Sequence, residues 1–184
     1  MKRIDTQIDD LFIVKLNQHI DNRGSFSKVF CSDLFKTFGV RKSIKQVNIS
    51  NTSKSGIIRG MHFQYPPYAE TKIIKCISGA VFDVAIDIRR DSETFLNWHG
   101  EYLNSGEEKV FVIPEGFAHG FQALEDKSQL LYFHTEKYNK EHEAGISYKD
   151  PLVQINWPIY PAFGVSERDS SFTSLDALFK GVEL

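Results

Sequence analysis

Residues 81–86 read Val-Phe-Asp-Val-Ala-Ile. Laid out as a strand, this run is apolar on both faces, and it is short and rich in β-branched and aromatic residues, which argues against a surface helix. A strand of that kind needs cover on both sides, as in a closed barrel or a two-sheet sandwich. About ten such runs recur, separated by Gly, Asn, Asp and Pro. They lie at Leu11–Leu16, Gly24–Phe30, Ser43–Ser50, Ile57–Gln64, Lys72–Ser78, Ala80–Ile88, Gly100–Leu103, Lys109–Ile113, Gly120–Leu124 and Gln129–Thr135. Helical signal is confined to Ser32–Phe38, with Ser32 as N-cap and Gly39 as stop, and to a short turn or helix at Leu175–Phe179. Strands without crossover helices predict an all-β antiparallel double-sheet jelly roll. Residues 156–174 carry Pro158, Pro161 and Gly164 and predict an irregular C-terminal arm over the barrel. An immunoglobulin-like sandwich is the rival, but it does not account for polar residues clustering inside the strands.

A chain of 184 residues fits one domain, 1–184, large enough to be stable without disulfides or a structural metal. Cys31 and Cys76 match no zinc or disulfide spacing and read as small core residues. The 22 basic and 24 acidic side chains nearly balance, which excludes nucleic-acid binding through a general basic field. No 18-residue apolar run is present to cross a membrane, and the first residues lack an apolar leader, so a cytoplasmic protein is expected.

Four clusters carry candidate chemistry. In Arg59-Gly60-Met61-His62-Phe63-Gln64, strict alternation puts Arg59 and His62 on opposite faces; both point inward only if Gly60 marks a bulge. His62 reads either as a hydrogen-bonded core histidine or as a general base. Residues 114–119, Pro-Glu-Gly-Phe-Ala-His, feed His119 into the next strand. Their Pro-x-Gly-x-x-His order resembles the second motif of the cupin superfamily. The first motif of a metal-binding cupin needs more than the lone His62, so no catalytic metal is expected. The third cluster, Leu130–Thr135, holds Tyr132, either a buried phenol with a partner or an acid facing a histidine. In the fourth, Ser166–Asp169, Asp169 is either part of a solvated charge run or the group that fixes a histidine tautomer. Arg23, Arg59 and Lys72 supply positive charge suited to a diphosphate. No glycine-rich phosphate loop is present, so side chains would hold the phosphates.

Together these clusters resemble the dTDP-4-dehydrorhamnose 3,5-epimerase (RmlC-type) family of the cupin superfamily. The likeness runs from Asp21 to Asp169. It is carried by Asp21-x-Arg23-Gly24-x-Phe26, Gln46-x-Asn48-x-Ser50, Arg59-Gly60-x-His62-x-Gln64, Pro66-Pro67, Lys72, residues 79–89, 113–121, Leu131-Tyr132, Tyr138, residues 141–146, Asp150-Pro151, Trp157-Pro158 and Ser166-x-x-Asp169.

The resemblance implies a cupin-type double-stranded β-helix and a cofactor-independent epimerase of a nucleoside-diphospho-4-keto-6-deoxy sugar. By the family pattern His62 is the base, Asp169 orients it, Tyr132 is the acid on the opposite face, and Lys72 stabilises the enolate oxygen. Arg23, Arg59 and His119 match positions for the diphosphate or sugar. Phe26, Gln46, Asn48, Tyr138 and Glu143 match the substrate-binding and nucleotide side. A homodimer is implied, in which the N-terminal strand of one subunit joins its neighbour. The family pattern after Arg-Gly is Phe-Phe-x-Glu, whereas residues 25–28 read Ser-Phe-Ser-Lys. Lys28 therefore reverses a charge on the nucleotide side and exchanges an acceptor for a donor. Inversion at C3 alone, or a CDP- or GDP-linked sugar, stays open beside inversion at C3 and C5 of the dTDP sugar. A non-catalytic sugar-binding cupin and a metal-dependent cupin are the readings from other classes.

Overall fold

The computed structural model describes residues 1–176 and 178–184. Among these the chain forms strands β1 (Lys2–Asp5), β2 (Phe12–Lys15), β3 (Gln18–Asp21), β4 (Gly24–Ser27), β5 (Gln46–Thr52), β6 (Ile57–Gln64), β7 (Lys72–Ser78), β8 (Ala80–Asp87), β9 (Trp98–Asn104), β10 (Lys109–Ile113), β11 (Phe117–Ala123), β12 (Ser128–His134), β13 (Glu143–Gly145) and β14 (Gly164–Val165). Two short helices, α1 (Ser32–Thr37) and α2 (Glu167–Ser170), complete it. One sheet has the order β1-β2-β10-β7-β12-β5; the other runs β13-β6-β11-β8-β9, with β14 alongside β6. All pairings within the two sheets are antiparallel except β14 with β6. This is the expected jelly roll.

Both faces of β8 are buried, for two different reasons. Val81 and Ala85 face inward and pack with Ile74, Phe111, Phe121 and Leu130 from both sheets. Phe82, Val84 and Ile86 face outward, where Ile146, Val153, Trp157 and Phe179 of the C-terminal region cover them. The outer face of the other sheet is covered in the same way, with Phe35 of α1 against Phe12, Ile73 and Val112. The two-faced apolar strands thus follow from a third and a fourth layer, not from the barrel alone.

Several boundaries depart from expectation. The helix begins after Cys31, which caps it without a side-chain bond, so Ser32 is its first residue and not its N-cap. Gly39, at φ +110°, stops it as expected. Cys76 is a core residue, but Cys31 is only half-buried. Strands β1, β3, β13 and β14 were not signalled by the sequence; each is four residues or fewer. The arm at 156–174 is irregular apart from β14 and α2. The expected turn or helix at Leu175–Phe179 includes Ala177, which lies outside the described residues; beside it, the Phe179 N–H donates to the Asp176 carbonyl at 3.2 Å.

The β3–β4 hairpin stands apart from both sheets. Ile20 is 76% exposed and Phe26 71% exposed.

Candidate active site

A cavity of about 910 Å³ opens between the sheets, within the range that holds a small-molecule ligand. Its walls include Asn48 and Ser50 from β5, Arg59 and His62 from β6, His119 from β11, Tyr132 and His134 from β12, and Ser166, Arg168 and Asp169 from the arm.

A bulge brings Arg59 and His62 to the same wall. His62 is opposite His119 and Arg59 opposite Phe121, so β6 spends one residue more than β11 over this stretch. Gly60 takes φ +123°, and a Cβ there would lie 2.5 Å from the Gly120 Cα. A Cβ on Gly120 would meet the Arg59 carbonyl at 2.8 Å. Glycine is required on both strands because the backbones touch.

The bulge also serves Asp169. Its Oδ2 accepts the Gly60 N–H at 2.9 Å, and its Oδ1 is 2.8 Å from His62 Nε2. Ser166 caps α2 by accepting the Asp169 N–H at 3.1 Å, which fixes the backbone that carries the carboxylate. Burial works to raise the Asp169 carboxyl, but the His62 bond, the Gly60 N–H and the Arg168 charge outweigh it and hold it at about 2. An ionised carboxylate only accepts, so His62 carries its proton on Nε2 and leaves Nδ1 with the lone pair a base requires. Arg168 Nη2 lies 2.9 Å from the same Nε2, which cannot also accept; the guanidinium serves instead as counter-charge to Asp169 and Glu143. Phe172 packs edge-on against the His62 ring at 5.7 Å.

His119 Nε2 is 2.8 Å from Asp83 Oδ1, and both side chains are buried. Burial pushes the Asp83 carboxyl up. Tyr132 lies between two imidazoles, with ring centroids 5.9 Å from His119 and 5.7 Å from His134. Burial, together with the Asp83 charge, raises the Tyr132 phenol well above its ordinary value, so it keeps its proton at neutral pH and can serve there as an acid but not as a base. Arg59 is held over the cavity by Thr52 Oγ1 at 3.1 Å and the Asn51 carbonyl at 2.9 Å. Lys72, opposite His134, shares the inner face of β7 with Ile74 but sits buried beyond the cavity's lining, with Nζ 2.9 Å from Glu70 Oε1. At the rim, Gln46 Oε1 accepts the Tyr138 N–H at 3.1 Å, the Tyr138 hydroxyl donates to Glu143 at 3.0 Å, and Glu143 binds Arg168 at 3.1 Å. Gln46, Tyr138 and Glu143 are thus linked at the rim and connect through Arg168 to Asp169.

Arg23, Phe26 and Lys28 are not brought to this cavity within one chain. They sit on or just after the exposed β3–β4 hairpin, where Arg23 pairs with Asp21 at 2.6 Å. Among the described residues, no three His, Cys, Asp or Glu side chains are grouped to hold a metal ion.

The sequence matches the family model of dTDP-4-dehydrorhamnose 3,5-epimerase over residues 5–177. The chain belongs to the dTDP-4-dehydrorhamnose 3,5-epimerase family. The epimerase of that name from Escherichia coli K12 is 38% identical to it over 181 residues, covering 98% of this chain and 97% of the relative. The crystal structure of the dTDP-4-dehydrorhamnose 3,5-epimerase from Bacillus anthracis, with TDP and pyrophosphate bound, superposes with a TM-score of 0.91 at 34% identity, covering 95% of this chain and 99% of that one. The enzyme from Legionella pneumophila in complex with dTDP-4-keto-L-rhamnose gives 0.90 at 35% identity, covering 96% and 94%. The chain is thus an enzyme of the isomerase class, on a cupin-like jelly roll.

Sequence reasoning missed Glu70, His134, Arg168 and Phe172. His134 was legible, since it is two residues past Tyr132 and shares its face in a strand. Glu70 lies in a loop, and its contacts with Lys72 and His134 exist only in the folded chain.

Proposed function

We propose that this epimerase inverts C3 and C5 of dTDP-4-dehydro-6-deoxyglucose to give dTDP-4-dehydrorhamnose, without a cofactor. The observation that supports this most is a carboxylate-backed histidine and a protonated tyrosine lining one cavity. The C4 ketone acidifies the protons on its neighbouring carbons. His62 Nδ1 takes one, the electron pair moves to the C4 oxygen, and the Lys72 ammonium stabilises the enolate. Tyr132 donates a proton to the opposite face. His62 has gained a proton and Tyr132 has lost one, and exchange through solvent resets both. Arg59 and His119 take the diphosphate or sugar, and Asn48, Gln46, Tyr138 and Glu143 line the way to the nucleotide.

Arg23, Phe26 and Lys28 act on the cavity of a second copy. The enzyme is a homodimer in which the N-terminal strands exchange, and the exposed Ile20 and Phe26 on the detached hairpin support this. The whole of 1–184 works as one domain in the cytoplasm, supplying a rhamnose precursor for a cell-surface polysaccharide.

Incubation with dTDP-4-keto-6-deoxyglucose in heavy water tests the reaction. Two deuterons, at C3 and C5, are expected. One deuteron at C3 would make the enzyme a C3 epimerase, and none would overturn the assignment. Tyr132→Phe is expected to lose net inversion by about 10²–10⁴-fold while keeping more of the exchange catalysed by the base.

A further inference from the structure

The cavity holds a third carboxylate-backed histidine beside His62–Asp169 and His119–Asp83. His134 Nδ1 lies 2.9 Å from Glu70 Oε2, and the other oxygen of the same carboxylate binds Lys72. His134 is opposite Lys72 on β7 and Gln46 on β5, so it stands between the buried ammonium and the rim. Its ring stacks on Tyr132 at 16° between planes. On its open side Nε2 has the Asn48 Nδ2, an amide donor, at 3.4 Å, a long contact that a substrate hydroxyl can replace.

We propose that His134 is a further substrate-contacting residue whose Nε2 accepts a hydrogen bond from a hydroxyl of the sugar. The inference rests on the reading of this cavity as a nucleotide-sugar site. Its first support is the tautomer. Burial tends to raise the Glu70 carboxyl, but Lys72 and His134 outweigh it and hold the group at about 2. Glu70 is therefore an acceptor only, and the Nδ1 facing it must carry the proton. With that proton on Nδ1, Nε2 is the nitrogen turned toward the cavity, and in the neutral form of the ring it carries the lone pair. The second support is charge. Glu70 and Lys72 cancel, so a neutral His134 leaves this buried cluster uncharged. The third is position. Tyr132 delivers its proton to one carbon of the sugar, and a ring stacked beside it reaches a neighbouring substituent of the same sugar. A bare acceptor repels the anionic enolate oxygen, which is left to Lys72, and selects a substituent that donates. His134 and Glu70 thus favour a hydroxyl-bearing sugar over its deoxy counterpart.

The test is ¹⁵N NMR of the histidine side chains in the whole protein, alone, with dTDP, and with dTDP-4-keto-6-deoxyglucose. The expected result is a neutral Nδ1–H tautomer for His134 in the free protein, with an Nε2 shift on adding the sugar nucleotide that dTDP alone does not produce. In parallel, His134→Ala is expected to raise KM roughly tenfold with kcat nearly kept, and His134→Gln, which retains an acceptor, to recover part of the loss. An Nε2–H tautomer, a charged ring, no shift with the sugar, or an equal shift with dTDP alone would overturn the proposal. The epimerase reading fails separately: the sugar nucleotide would move Nε2 while the same sample in heavy water took up no deuterium.

Discussion

The inner wall of the jelly roll and the β3–β4 hairpin both carry residues that the sequence marks for substrate, and they could hardly be built more differently. On the wall, His62, His119 and His134 each have a carboxylate within 2.9 Å, supplied from a distant part of the chain. The carboxylate of every such pair is buried, so charge is fixed in place before substrate arrives. On the hairpin the only ion pair is local, Arg23 with Asp21, and both groups are open to water. Phe26 and Ile20 beside it are left largely uncovered by the described residues. The wall is assembled within one chain, whereas the hairpin, in the proposed dimer, is half of an interface. In the proposed mechanism the wall does the chemistry and holds the sugar, and the hairpin adds to substrate capture from a second subunit.

The largest expected effect comes from breaking the wall. Gly60→Ala forces a Cβ into the Gly120 backbone at a φ that disfavours it, and should cost about 3 kcal/mol of stability as well as activity. Urea unfolding beside turnover measures both; an unchanged midpoint would mean that the strands separate freely there.

Acid should separate the two regions next. Glu70 falls from 4.5 unfolded to about 2 folded, so its contribution, of order 3 kcal/mol, is fully present above pH 4.5 and lost as pH drops toward 2. Asp169 acts in the same direction from 3.8. Denaturation curves for Glu70→Gln should therefore be flatter between pH 5 and 2 than those of the unaltered protein. Asp21 on the hairpin is fully exposed and salt-screened, so Asp21→Asn should leave that slope as it is. Parallel curves for all three proteins would contradict the assignment.

Mixing tests whether the hairpin works across subunits. Arg23→Ala and His62→Ala chains are each expected to be poor enzymes. Co-refolded, half of the dimers are mixed, and each mixed dimer regains one intact site, so about a quarter of full activity returns. No recovery would place Arg23 in its own chain's site.

The smallest effect belongs to Lys28. As an exposed charge it should shift the relative KM values of dTDP-, CDP- and GDP-linked sugars by up to about fivefold in Lys28→Glu, read by competition assays. Unchanged preference would put it outside the nucleotide's reach.

The same contrast explains what could be read from the sequence. The jelly roll was legible because Ile57–Gln64, Lys72–Ser78 and Lys109–Ile113 carry their strand signal locally, and their bounds agree with the structure. The Gly60 bulge was legible because alternation alone left Arg59 and His62 on opposite faces. Strands β13 and β14 were not, since their pairing depends on β6 and not on their own composition. Glu70 was hidden for the same reason: it lies in a loop, and its meaning comes from partners on β7 and β12. The hairpin residues were marked by family likeness, and nothing in their local sequence says where they act.

The most direct measurement is deuterium exchange into dTDP-4-keto-6-deoxyglucose at saturating substrate, comparing His62→Ala with Arg23→Ala. If the wall does the chemistry and the hairpin captures substrate, His62→Ala shows no exchange at C3 or C5, while Arg23→Ala still labels both. Exchange that survives in His62→Ala, or disappears in Arg23→Ala at saturation, would contradict that division.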